Sequence, residues 1–352
     1  MTTLTVSDRA AADLKGDALV LVSVHTDDGA ALAPGHGLGD KTVAHLESAL
    51  STLKAKGDAD EVLKLVSVPG VAASLVVVSG AGKATAEGGL LEAEAIRRAV
   101  GAATRQLSGL SKAIVLAPGP SVEEAIASAE GAVLGAYTVT SSAAGPTSIA
   151  IKAIVVASPV ARDRGLRAAV KRASALGEAT NYTRDLVNTP PNALYPETFA
   201  ATIKKHAIGT GVKVSVLDEA GLARGGFGGH LTVGGGSARG PRLVTLRYTP
   251  AKANKHVAFV GKGITFDSGG LTIKPKAGTD HHEVRHGGRC RGRLCRLRHR
   301  RARPAGRGQR IPLPGREHAR HRRVPPGRRH HDARWQDRRA QQHGCRGPHG
   351  PG

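Results

Sequence analysis

The chain has 352 residues, 22% of them charged and 3% aromatic, and a formal net charge of +23. Of its 51 Lys and Arg, 21 arginines lie between His282 and Gly352 against only Glu283, Glu317, Asp332 and Asp337, so 17 of the 23 charges sit in about one-fifth of the chain. The first 281 residues keep 30 basic and 24 acidic side chains, a balance that excludes the overall charge as a sign that the folded part binds nucleic acid or an anionic surface.

Met1–Lys15 is polar and has no basic stretch followed by an apolar run, so no signal peptide is expected. The run Asp17–Val24 is far too short to span a bilayer, and the first 281 residues hold no cysteine, so a soluble cytoplasmic protein is expected. Apolar β-branched runs at Ala18–Val24, Leu75–Val78, Ala113–Leu116 and Ser148–Val156 read as strands. Alanine-rich amphipathic stretches at Thr42–Ala55, Leu91–Leu107, Val122–Ala136 and Asp163–Thr180 read as helices, the third opened by a Ser121/Glu124 capping box. This alternation predicts α/β layers around a partly parallel sheet. The helix ending near Thr180 serves as the connector between two domains.

A second unit opens at Asn181–Ala200, where Pro190 and Pro191 end one helix and Pro196 starts the next. Strands are expected at Lys213–Leu217, Leu243–Tyr248 and His256–Val260, with a glycine-rich stretch at Gly221–Gly240. That stretch lacks the G-x-x-x-x-G-K-[ST] spacing of a phosphate cradle, and no G-x-G-x-x-G lies between a strand and a helix. The chemistry concentrates at Val260–Pro275, V-G-K-G-I-T-F-D-S-G-G-L-T-I-K-P, where a strand runs out into glycine-bracketed polar residues. Lys262 and Asp267, five apart, are placed to approach one cation together: the aspartate supplies hard oxygen ligands, and a nearby dication would favour the neutral amine of the lysine. Lys274 would remain a cation aimed at a developing oxyanion. On generic spacing alone, the plainer reading is that Asp267 caps a turn and both lysines are solvated.

Val260–Pro275 resembles the signature of the leucyl aminopeptidase (cytosol aminopeptidase) family of two-metal exopeptidases. Asn181–Ala200 is similar to the segment that opens that family's catalytic domain, and Gly226–Pro250 is similar to its next stretch. The resemblance implies Lys262 and Asp267 as metal ligands and Lys274 as the catalytic lysine. It further implies two divalent ions, Mn²⁺ or Zn²⁺, peptide substrates, a homo-hexamer, cytoplasmic location and no membrane association. The same resemblance calls for an aspartate and later two carboxylates and an arginine. At those places stand Arg285 and, by spacing, Gly344, Arg346 and Pro348.

The genetic code offers a reason. One codon string allowed for His282–Gly288, CAT GAA GTC CGA CAT GGG GGG, gives Met-Lys-Ser-Asp-Met-Gly-Gly when read from its second base. Codons allowed for Gln342–His349 give Asn-Thr-Asp-Ala-Glu-Gly-Arg in the same shifted frame, so residues 282–352 read as an out-of-frame translation beginning near His281 and His282. The competing reading is an arginine-rich RNA-binding or scaffold extension. Against it, residues 282–352 contain no lysine and a single aromatic, Trp335, for base stacking, and any nucleic-acid binding there is expected to be non-specific. Cys290, Cys295 and Cys345 form no C-x₂-C pair, so a zinc site is not indicated. Low apolar content and high charge predict disorder for this tail. The expected organisation is an N-terminal α/β domain at 1–178, a truncated α/β metallo-exopeptidase catalytic domain at 179–281 and the tail at 282–352, with the chain inactive as written.

Overall fold

The computed structural model describes residues 2–10, 13–84, 91–139, 149–270 and 272–274, all within one compact unit. Its first part is a seven-stranded sheet built from β1 (Thr3–Ser7), β2 (Ala18–Thr26), β3 (Gly29–Leu32), β4 (Val62–Val66), β5 (Leu75–Lys83), β6 (Lys112–Leu116) and β7 (Ala153–Ala157), in the order β1-β7-β6-β2-β5-β4. Strands β1, β7, β6, β2 and β5 run parallel, while β4 closes one edge antiparallel to β5. β3 returns antiparallel along β2 from Ser23 to Thr26, beyond the stretch Ala18–Val20 that pairs with β6.

The near-continuous apolar runs of β2, β5 and β6 follow from burial on both faces. Successive side chains alternate between two cores: Val20, Val77 and Val115 point to one face, Leu21, Val76 and Ile114 to the other. The first face is covered by α2 (Ala93–Arg105), α3 (Val122–Gly135) and α4 (Arg164–Asn188), through Ile96, Val100, Val133 and Leu166. The second is covered by α1 (Asp40–Thr52) through Leu46 and Leu50. The expected capping box is present. The Glu124 amide donates to Ser121 Oγ at 3.2 Å, and the Ser121 amide donates to the Glu124 carboxylate at 3.0 Å.

α4 extends eight residues past the expected end at Thr180, so the boundary expected between 178 and 179 falls inside an unbroken helix. Beyond it come α5 (Pro196–His206), β8 (Lys213–Leu217), α6 (Glu219–Arg224), α7 (Gly228–Gly234) and β9 (Leu243–Arg247). β8 and β9 form only a two-stranded antiparallel pair. The strand expected at His256–Val260 does not form, and Val257, Phe259 and Val260 stand in solvent. An apolar run becomes a strand only where a neighbouring edge takes its N–H and C=O groups, and among the described residues none does.

Burial divides the chain sharply. Past Ala173, only Leu194, Ala200 and Leu222 are buried among the described apolar side chains, and neither core contains a residue beyond Ala173. No helix among the described residues is long and apolar enough to cross a membrane.

Candidate functional site

The three segments singled out in the sequence are brought to one place by α5. Residues Asn181–Asn188 form the last turns of α4, tied down from α3 and its C-terminal turn. Tyr137 donates its hydroxyl hydrogen to Asp185 at 2.9 Å and accepts from the Asn188 amide at 2.8 Å, while Arg184 donates to the Leu134 carbonyl at 2.7 Å. Burial raises the Tyr137 phenol above its ordinary value and does the same for Tyr182, whose ring stacks on His206 at 3.8 Å.

Pro190 and Pro191 then turn the chain, and Pro196 opens α5 at a position where its missing N–H has no helical partner to lose. The glycine-rich stretch folds back onto this turn through Arg239, which donates to the Pro191 and Asn192 carbonyls at 3.2 and 3.3 Å. Its guanidinium lies 4.2 Å from the centre of the Tyr195 ring. Just before that stretch Asp218 caps α6 by accepting from the Gly221 amide at 2.8 Å. A hydrogen bond to its own backbone amide and the Arg242 guanidinium together hold the Glu219 carboxyl below its ordinary value.

The third segment meets α5 at Gly263, where an added Cβ would come within 3.1 Å of the Phe199 ring. Asp267 then begins a tight turn. Its Oδ1 accepts from the Gly269 amide at 3.0 Å, and the Lys274 amide donates to the Ser268 carbonyl at 3.0 Å. Gly269 and Gly270 sit at φ +89° and +64°, and a Cβ on Gly269 would overlap the Thr272 carbonyl oxygen, so this position takes glycine only. The turn carries Lys274 Nζ to 2.6 Å from Asp267 Oδ2.

Of the three expected site residues, Asp267 and Lys274 are therefore paired. Lys262 is exposed and makes no hydrogen bond or ion pair with another described residue. The plain reading of Asp267 as a turn cap is correct as far as it goes, but Lys274 is engaged rather than solvated. Arg239, Tyr195 and Phe199, which join the segments, carry no spacing signal that would single them out.

The described residues alone do not complete a site for a pair of divalent ions. They offer no group of three or more His, Cys, Asp or Glu side chains, and the Asp267 carboxylate already faces an ammonium. Arg285, Gly344, Arg346 and Pro348, which stand at the further expected ligand positions, lie outside the described residues.

Comparison with known proteins follows this division. Residues 20–142 match the profile described as "Cytosol aminopeptidase family, N-terminal domain", and residues 181–291 match "Cytosol aminopeptidase family, catalytic domain". A probable cytosol aminopeptidase of Streptomyces griseus is 47% identical over 292 residues, covering 78% of this chain and 56% of its own. One from Streptomyces avermitilis is 46% identical over 290 residues with the same coverage. Among solved structures, the bottromycin maturation enzyme BotP in complex with Mn superposes with a TM-score of 0.58 at 29% identity, over 80% of this chain and 57% of that one. A leucyl aminopeptidase from Leishmania major in complex with actinonin superposes with a TM-score of 0.58 at 26% identity, over 84% and 56%. The chain thus spans a little over half the length of the curated relatives it matches.

Proposed function

Because this chain belongs to the cytosol aminopeptidase family, we propose that it is the leading part of a metal-dependent aminopeptidase that releases N-terminal residues, leucine among them, from peptides. The observation that carries the reading is the ordered match to both family domains, with Lys262, Asp267 and Lys274 all inside the second. In this reading Lys262 and Asp267 are metal ligands, and Lys274 stabilises the oxyanion that forms when the scissile carbonyl is attacked. Two divalent ions, Mn²⁺ or Zn²⁺, a homo-hexameric assembly and cytoplasmic location belong to the same proposal.

As written, the chain is inactive. It keeps two of the five metal ligands the resemblance implies, and its one described carboxylate at the site is engaged by the lysine meant for the substrate. Residues 282–352 are an out-of-frame reading of the remainder, supported by their 21 arginines and by the recovery of family-like motifs one base away. The test is a pair of proteins. The chain itself, with Mn²⁺ or Zn²⁺, should release no leucine from a leucyl peptide. A single-chain fusion of residues 1–280 to the share of the Streptomyces griseus relative that this chain does not span should release it. Turnover by the chain alone refutes the inactivity, and a silent, folded fusion refutes the aminopeptidase reading.

A further inference from the structure

Between Val260 and Pro275 the chain holds a single acidic side chain, Asp267, and two lysines, Lys262 and Lys274. The backbone itself brings one of those lysines to the carboxylate. The Lys274 amide closes the turn on the Ser268 carbonyl at 3.0 Å, and Gly269 and Gly270 take the positive φ angles that the turn needs. Both carboxylate oxygens are then engaged: Oδ1 accepts from the Gly269 amide at 3.0 Å and Oδ2 from Lys274 Nζ at 2.6 Å. The Asp267 and Lys274 side chains keep only 37% and 24% of their exposure, so the pair is partly withdrawn from water and stronger than a fully hydrated one. Lys262 is exposed and takes no part in it.

We propose that Lys274 is a built-in counter-ion that holds the cation position of Asp267, and that it yields the carboxylate only to a divalent ion, which frees the ammonium for the substrate oxyanion. The inference rests on the proposed function, in which Asp267 is a metal ligand and Lys274 meets the oxyanion. It adds that the two lysine roles exclude each other in time. An ammonium and a dication on one carboxylate repel each other at close range, so whichever is bound disfavours the other. At equal distance a dication attracts the carboxylate about twice as strongly as an ammonium does, so Lys274 delays an ion without barring it. The consequence is an order of events: while Lys274 is parked on Asp267 it is withheld from substrate, and loading of the ligand releases it. An ion pair that merely stabilises the turn predicts no such exchange.

The experiment adds Mn²⁺ alone, stepwise, to the full 352-residue chain and follows paramagnetic broadening of the Gly269 and Gly270 amide resonances. Lys274→Met and Lys274→Gln should be broadened at Mn²⁺ concentrations at least tenfold below those the unaltered chain needs, while Lys274→Arg should behave as the unaltered chain does. Asp267→Asn in the Lys274→Met chain should abolish the effect. The glutamine keeps a hydrogen bond to Asp267, and exchange protection of the residue-274 amide reports that the turn stays closed. Lys255→Met removes an equal charge outside the turn and should leave the threshold unchanged. Equal thresholds for the unaltered chain and both neutral variants overturn the proposal. So does an absence of broadening in all three, since the lysine is then not what keeps the ion away. A shift reproduced by Lys255→Met overturns it too, because net charge alone then suffices. Lys262→Met in the Lys274→Met chain should raise the threshold; an unchanged value removes Lys262 as a ligand and leaves the exchange at Asp267 standing. An active 1–280 fusion with equal thresholds keeps the aminopeptidase reading and removes the counter-ion role.

Discussion

Two glycines at one helix contact should respond to alanine in opposite directions. α2 and α3 cross so closely that a Cβ on Gly131 would sit 3.1 Å from the Arg97 carbonyl carbon and Cα and overlap its carbonyl oxygen. These are backbone atoms that no rotamer change can move, so α3 must shift by several tenths of an ångström. That shift strains the Arg97–Glu130 ion pair, now at 2.8 Å. Overpacking of this kind costs about 1–3 kcal/mol, and the helix-forming advantage of alanine over glycine returns about 1 kcal/mol, so Gly131→Ala should lose about 0–2 kcal/mol net. Across the contact, a Cβ on Gly101 meets nothing nearer than the Gly131 carbonyl oxygen at 3.4 Å, an ordinary contact. There the propensity term acts alone, and Gly101→Ala should gain roughly 0.5–1 kcal/mol. With a urea dependence of about 1–3 kcal/mol per molar, the two variants should differ by about 1 M in midpoint. The transition is followed by native-state hydrogen exchange in β2, β5 and β6, which isolates the first domain from the exposed second half. Equal midpoints, or a Gly131→Ala variant above Gly101→Ala, would refute the argument that backbone overlap outweighs propensity here.

At the candidate site, Gly269→Ala forces a Cβ into the Thr272 carbonyl at φ +89°, so the turn should open and the Lys274 amide should lose its exchange protection while the core keeps its own. In the 1–280 fusion, Lys274→Ala should lower kcat by about 10²–10³-fold with the fold intact, as expected for a group that meets an oxyanion; an unchanged kcat removes Lys274 from the chemistry. Tyr137 and Tyr182 both have phenols raised by burial, so the stability tied to their neutral forms is complete below the unfolded phenol value and lost as pH rises through the folded one. Absorbance titration should find that Tyr137→Phe and Tyr182→Phe each remove signal from the late part of the curve, and loss from its early part would contradict the burial. Residues 282–352 should bind heparin or any RNA alike, with affinity falling steeply with salt and vanishing on their removal; a preference for one RNA sequence would favour the RNA-binding reading instead.

The parallel core was legible because its strands are buried on both faces and so read as unbroken apolar runs, as at Leu75–Val78 and Ala113–Leu116. β1 escaped notice because Thr3–Ser7 alternates polar and apolar residues at an edge, and β4 because Lys64 interrupts Val62–Val66. The short helices α6 and α7 lie in a stretch whose glycines argue against helix. Asp218 supplies the cap for the first, and the second forms with no buried residue at all. At the site, the motif singled out Lys262, Asp267 and Lys274, and the turn glycines hinted at the geometry. The Asp267–Lys274 pairing was not foreseeable, because it depends on what else competes for the carboxylate. The strand expected at His256–Val260 failed for a non-local reason: ladder partners are not written in the run itself.

The pairing of β1 with β7 also sets a timetable. Thr3 lies opposite Ala153, so the first strand to leave the ribosome waits for one of the last strands of its sheet, some 150 residues later. Until then the Ala153 edge of the sheet is unbuilt, and the nascent chain holds Leu4 and Val6 without a place to bury them. By the time residue 282 is decoded, the whole of β7 has been synthesised. The change of reading frame proposed above would therefore fall after the first domain can close, and the cell would receive a finished sheet joined to an unfinished one, a substrate for chaperones and proteases that recognise exposed apolar chain.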